Sequence, residues 1–130
     1  MVKLYISFPG NCSEALDFYQ QVFQCKVQNL ATYGDFGEDN SSGSIIHSEL
    51  EIEGTTFIFS DYNEAMTIGD NFSIMLEVAD ESIVHTYYQK LKDRANITIP
   101  LAPLELPDQS FRLYANLMDK FGINWVILCK

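Results

Sequence analysis

An order of elements that occurs twice is the strongest constraint this sequence sets. Lys3 to Phe8 alternates, with Leu4, Ile6 and Phe8 on one side and Tyr5 and Ser7 on the other, which is the period of a strand. Pro9-Gly10 stops it, and Asn11-Cys12-Ser13-Glu14 has the N-x-x-E form of a helix-capping box. Ala15, Leu16, Tyr19, Val22 and Phe23 follow at helical spacing, predicting a helix to about Gln24. A strand is expected over Lys26 to Tyr33, then an exposed loop over Gly34 to Ser44, whose acids include Asp35, Glu38 and Asp39. Ile45 to Ile52 reads as a strand, Glu53-Gly54 as a hairpin turn and Thr55 to Ser60 as the partner strand.

After a polar connector, Asp61 to Asn71, the order starts again. Phe72 to Val78 alternates, Asp80 can cap, and Ile83, Val84, Tyr87, Tyr88 and Leu91 build a second helix. Ile97 to Ile99 predicts a short strand. Pro100 to Ser110 carries three of the four prolines and reads as a loop. Arg112 to Met118 and Ile123 to Cys129 are the final strands, around a turn at Asp119 to Gly122. Aligning Tyr19-Gln20 on Tyr88-Gln89 gives an offset of 69 residues (88 − 19), which drops Leu4 onto Ser73. The expectation is an α+β fold of two βαβββ modules, residues 1–62 and 70–130, in a single domain over 1–130.

Composition removes classes of function. The chain of 130 residues carries eight Lys plus Arg against eighteen Asp plus Glu, a net charge of −10. Nucleic acid and anionic membranes both require a positive footprint, so neither is expected as a partner. No apolar run approaches the roughly 18 residues of a spanning helix, and the start shows no signal-peptide block. Cys12, Cys25 and Cys129 are an odd number without CxxC spacing, against a disulfide framework or a zinc knuckle. A cytoplasmic location follows as the default.

The residues resemble a known superfamily along almost the full length. Two βαβββ modules are similar to the vicinal-oxygen-chelate fold of glyoxalase I, bleomycin-resistance proteins and extradiol dioxygenases, and within it to the PhnB-like branch. The resemblance implies a curved, cup-like mixed sheet of about eight strands with the helices on its outer face. The likeness rests on Gly10-Asn11, Glu14-Ala15, Phe18-Tyr19, Ile46-His47-Ser48-Glu49-Leu50, Glu53-Gly54 and Ser60-Asp61. Its most specific part is Asp119-Lys120-Phe121-Gly122-Ile123-Asn124-Trp125. Two departures stand out. Gln24-Cys25 replace the glycine that commonly ends the first helix, so a left-handed cap is not expected. Asp108-Gln109-Ser110-Phe111 replace a Trp-Gly at what in the family is the cavity mouth.

Metal-dependent members hold one divalent ion with four side chains, one each from the first strand and an inner strand of either module. Carried onto this chain, those places are Leu4, Glu49, Ser73 and Val126. Leu4 and Val126 cannot ligate, and Ser73 is a poor neutral ligand, so only Glu49 suits a cation. The resemblance therefore implies a lost metal site and no cofactor. It also implies a homodimer, because members commonly complete their cups across a subunit interface.

Strand parity puts His47, Glu49 and Glu51 on one face and Ser48, Leu50 and Ile52 on the other. The apolar set should meet the helices, leaving His47 and Glu49 towards the cavity. Two readings are open for His47: an acid/base pair with Glu49, or a structural hydrogen bond to a neighbouring strand or a dimer partner. Arg112, Tyr114 and Asn116 share the polar side of their strand, with Leu113, Ala115 and Leu117 opposite. Arg112 is either a bidentate clamp for a carboxylate or phosphate, or an ion-pair partner of Glu49, Glu77 or a loop acid. Ser73 and Met75 share the corresponding face of the fifth strand, Met75 as a packing residue. His85 reads as a surface residue, and Cys12, at a helix start, as an inert thiol. The candidate pocket is thus His47, Glu49, Ser73, Met75, Arg112 and Tyr114, with no catalytic residue assigned and a small organic molecule as ligand. The alternative is a metal-independent or weakly metal-dependent lyase, dioxygenase or methyltransferase-like enzyme using His47 and Glu49. A methyltransferase would need a glycine-rich strand-to-helix turn for its nucleotide cofactor, and none is present. A module that binds only other proteins is the third possibility.

Overall fold

The computed structural model describes residues 1–37 and 43–130. The expected loop acids Glu38 and Asp39 lie outside the described residues. The chain is α+β and divides into two compact units, Met1–Thr67 and Ile68–Lys130. The first contains β1 (Leu4–Phe8), α1 (Cys12–Phe23), β2 (Gln28–Thr32), a 3-10 turn (Tyr33–Phe36), β3 (Ile45–Ile52) and β4 (Thr55–Asp61). The second contains β5 (Ile74–Glu77), α2 (Glu81–Leu91), β6 (Asn96–Glu105), β7 (Ser110–Met118) and β8 (Asn124–Cys129). The described strands form two four-stranded mixed sheets, ordered β1-β4-β3-β2 and β5-β8-β7-β6.

In the first unit β1 runs parallel to β4: α1 returns the chain so that β2 runs with β1, and two antiparallel pairings later β4 has that direction again. The hairpin of β3 and β4 closes through Glu53 and Gly54 at φ 48° and 82°, the left-handed pair a two-residue type I′ turn requires. Leu4, Ile6 and Phe8 pair with Phe57, Phe59 and Asp61, while Leu50 faces Phe57. That set forms the helix side of the sheet. The Tyr19 ring of α1 stacks on Phe59 at 5.5 Å, and Phe8 meets Phe59 edge-on at 5.4 Å. Each such buried ring contributes about 1.5–3 kcal/mol.

Both ends of α1 depart from expectation. Asn11 makes no capping bond, and its Oδ1 is buried without a partner. Asp61 does the capping: Cys12 N donates to its Oδ1 at 2.9 Å, and Ile45 N to its Oδ2 at 2.8 Å. A carboxylate outcompetes the carboxamide because it offers two anionic acceptors and is favoured by the helix dipole. Asp61 thereby belongs to β4 and not to a polar connector. At the other end Gln24 itself takes the left-handed conformation, φ 51°, and its N–H donates to the Gln20 carbonyl. The motif survives without its glycine.

In the second unit Asp80 caps α2 as the sequence predicts, accepting from Ser82 N at 2.8 Å. Asp119, only 4% exposed, accepts from Trp125 Nε1, Phe121 N and Ile123 N at 2.9, 2.8 and 3.1 Å. The Asp-x-Phe-Gly-x-x-Trp pattern is therefore a turn tied to a buried indole. The expected proline loop shrinks to a turn over residues 106–109, because β6 runs ten residues through Pro100 and Pro103 to Glu105. As an edge strand β6 tolerates residues without an N–H, and its register against β7 shifts at three places.

The duplication holds, but one constant offset does not. The helices keep 69 residues (81 − 12 at their first residues). The first strands do not, since Leu4 faces Phe57 as Ile74 faces Trp125. Leu4 thus corresponds to Ile74, one residue beyond Ser73. A one-residue slip reverses the side-chain face, so Leu4 lies on the helix side and Ser73 on the open side.

Candidate functional site

Each sheet leaves one face uncovered by its own helix, and five of the six candidate residues fall on those two faces, whereas Arg112 reaches Ala79 and Glu81 at the start of α2. On the first, Tyr5, Ile58, Glu49 and Gln28 form one cross-strand row. His47 lies two residues from Glu49 on β3, and its Nε2 is 3.2 Å from Glu49 Oε2. The same oxygen accepts from Asn29 Nδ2 at 2.7 Å. Asn29 sits in β2 at φ 53°, beside a register shift, and that irregularity aims its carboxamide at Glu49. The Asn29 and His47 hydrogen bonds hold the Glu49 carboxyl below its ordinary range, with the charges of His47 and Lys3 adding to them. Alongside, the Tyr5 and Ser60 hydroxyls share a 2.9 Å hydrogen bond. The polar groups of this face are engaged with one another.

The open face of the second sheet carries Met75, Val126 and Asn116 in one row and Met118 opposite Asn124 in the next. Val126 and Leu128 are nevertheless buried, under Phe111, Leu104 and Tyr114. Phe111 and Tyr114 lie 5.5 Å apart. The outer ends of β6 and β7 thus cover half of this face with apolar side chains. Beside that cluster is a depression of about 280 Å³ lined by Asp70, Ser73, Asn96, Thr98, Asn116, Met118 and Asn124.

Of the candidates, Ser73 lines this depression, Tyr114 belongs to the apolar cluster and Met75 is 61% exposed on β5. Arg112 lies outside the lining. Its Nε donates to the Lys130 carbonyl at 2.6 Å and its Nη2 to the Ala79 carbonyl at 3.0 Å. Its Nη1 stands 3.5 Å from Glu81, on α2, and not from Glu49 or Glu77. Glu77 pairs instead with Lys130 at 3.3 Å. Burial first, and Asp61 second, push the Cys12 thiol up to about 12, so it stays protonated and unreactive at neutral pH. Strand alternation puts Asn116 with Arg112 and Tyr114 without counting it in the pocket, and sequence reasoning missed Asn29, Asn96 and Asn124. Asn116 and Asn124 were legible from strand parity, whereas Asn29 depends on an irregularity that no alternation announces.

The ligand geometry of metal-dependent relatives does not fit this chain. The open-face residue of β1 is Tyr5 and not Leu4, while Glu49, Ser73 and Val126 do lie on open faces, and of these only Glu49 suits a cation. Among the described residues no three His, Cys, Asp or Glu side chains are grouped so as to hold an ion.

A family described as 3-demethylubiquinone-9 3-methyltransferase matches residues 2–128. The chain belongs to that family. It is a PhnB-like member of the vicinal-oxygen-chelate superfamily with the glyoxalase/bleomycin-resistance-like fold. Protein YjdN of Escherichia coli is 28% identical to this PhnB-like chain, over 95% of it and 90% of YjdN. A PhnB protein from Bacillus cereus is 23% identical with a TM-score of 0.83, covering 99% of this chain and 98% of that one. The fosfomycin resistance protein FosX from Listeria monocytogenes, solved with Mn(II) and a dihydroxypropylphosphonic acid, shares the fold at 12% identity and a TM-score of 0.66, covering 100% and 91%. No helix among the described residues is long and apolar enough to cross a membrane.

Proposed function

We propose that this PhnB-like protein binds a small organic molecule on the open face of its sheets, without a resident metal, as a cytoplasmic homodimer. The observation that carries the reading is the depression of about 280 Å³ on the second unit, walled by carboxamides and hydroxyls beside an apolar cluster. Few polar groups set against apolar surface is the usual make-up of a small-molecule site. Ser73 is its central contact, with Met75 and Tyr114 flanking, and Arg112 takes no part. Three free cysteines suit a reducing compartment. The family's methyltransferase description does not extend to the mechanism proposed here. Neither strand-to-helix turn, Phe8 to Asn11 or Val78 to Asp80, is the glycine-rich loop that cradles a nucleotide cofactor.

One observation favours a second reading, metal-independent acid–base catalysis on the first unit. Glu49 is held ionised 3.2 Å from an imidazole that is 40% exposed. A metabolite library screened by thermal shift and mapped by amide NMR separates the two. The binding reading expects hits that perturb Ser73, Asn116 and Asn124 and persist in His47→Gln. Turnover of a hit, abolished by His47→Gln, would replace it with the catalytic reading. Stoichiometric Zn, Ni, Mn or Fe in protein purified without chelators would overturn the metal-free claim.

A further inference from the structure

The polar side chains of the two open faces differ in one respect. On the first, Tyr5 bonds Ser60, and Glu49 takes hydrogen bonds from both Asn29 and His47. On the second, the side chains of Asp70, Ser73, Asn96, Asn116 and Asn124 converge on the depression with no hydrogen bond to any described residue. Thr98 is the exception, donating through Oγ1 to the Asn116 carbonyl at 2.9 Å and so fixing its own rotamer at the wall. Five polar groups with open bonding capacity around one concavity are a recognition surface, because each carboxamide can donate twice and accept at its oxygen.

We infer that this depression is a subsite for a small amine-bearing polyol, whose hydroxyls are shared among Ser73, Asn96, Asn116 and Asn124 and whose ammonium group lies on Asp70. The inference rests on the ligand-binding reading above and specifies its chemistry. Hydroxyls both donate and accept, as the carboxamides do, so a polyol satisfies both partners at once. The lining contains no Lys, Arg or His, and its one charge is the Asp70 carboxylate. An organic anion would meet that carboxylate within a chain of net charge −10. Arg112, the cation a carboxylate ligand would require, lies outside the lining with its donors on Lys130, Ala79 and Glu81. The volume of about 280 Å³ stands at the lower edge of the roughly 300–1,000 Å³ of small-molecule clefts. Met118 adds a polarizable thioether for a ring's C–H face.

The test titrates the isotopically labelled full chain with glucosamine, glucose and glucuronate, three probes of one size and different charge. Glucosamine is expected to perturb the Ser73, Asn96, Asn116 and Asn124 amides and to bind up to roughly five-fold more tightly than glucose, the range of an exposed ion pair. Glucuronate is expected to leave them unchanged. Asp70→Asn should bring glucosamine to the level of glucose. Asn116→Leu should weaken both sugars, and Asn96→Ala, at an exposed position, does the same should the first variant not fold. Glucuronate binding as well as glucosamine, or a glucosamine preference that survives Asp70→Asn, overturns the inference. If none of the probes shifts these amides while another metabolite does, the polyol assignment falls and the ligand-binding reading stands. If no metabolite perturbs either open face, both fall.

Discussion

Asn29 holds its backbone at φ 53°, a left-handed conformation that asparagine tolerates better than most residues with a side chain, and this places Nδ2 2.7 Å from Glu49. Replacement by glycine keeps that backbone and deletes only the carboxamide. In Asn29→Gly the Glu49 carboxyl should titrate at higher pH, read from carboxyl carbon shifts. The linkage has a definite sign. A carboxyl depressed in the folded state contributes stability above its unfolded pKa, and that contribution is lost as pH falls through the folded value. Asn29→Gly should therefore lose less stability than the parent on acidification, and an unchanged Glu49 titration would contradict the assignment. Gln24 is the simpler case. It caps α1 at φ 51°, where glycine is at ease, so Gln24→Gly should stabilise by about 1 kcal/mol in urea denaturation despite losing its exposed bond to Gln21. Neither left-handed residue was legible in the sequence. Nothing in the local pattern marks them, and the contacts that hold them come from residues Gln20 and Glu49.

At the scale of elements the order of strands and helices was legible because period 2 and period 3.6 are local signals. β3 matches its predicted span to the residue, and the Glu53-Gly54 turn closes it. β6 was not legible, since Pro100 and Pro103 read as breakers until the sheet order makes it an edge. The cap of α1 was misread for a related reason: a local Asn-x-x-Glu lost to a carboxylate from β4, 49 residues away. The candidate site suffered most, because a slip of one residue between repeats moved Leu4 off the open face. Two buried carboxylates follow as the critical ties. Asp119→Ala strands the indole N–H and two backbone N–H groups, so a loss of at least about 3 kcal/mol is expected from the urea midpoint. Asp61→Asn keeps one acceptor oxygen for two donors and should lose about 1–3 kcal/mol, with the helical circular dichroism retained. An Asp119→Ala protein as stable as the parent would remove the tie from the account.

For the whole molecule, charge and sheet edges pull in opposite directions. β1, β2, β5 and β6 are the edges of their sheets, and unpaired edges favour association. Two copies of a chain with net charge −10 repel each other. The proposed homodimer should therefore tighten as salt rises from low ionic strength, where the screening length is about 30 Å, to about 0.15 M, where it is about 8 Å. Sedimentation velocity at several salt concentrations reads this directly, and a monomer at micromolar concentration in every buffer would reject the dimer. The Asp119–Trp125 tie has a further consequence. Trp125 is the sole tryptophan, 1% exposed and wholly within the second unit. Its emission is a native optical probe of that half alone, silent about the half that carries His47 and Glu49. Melting followed at the indole and melting followed by far-ultraviolet dichroism are thus measurements of different regions. Any gap between the two curves would expose a population in which one repeat has let go before the other.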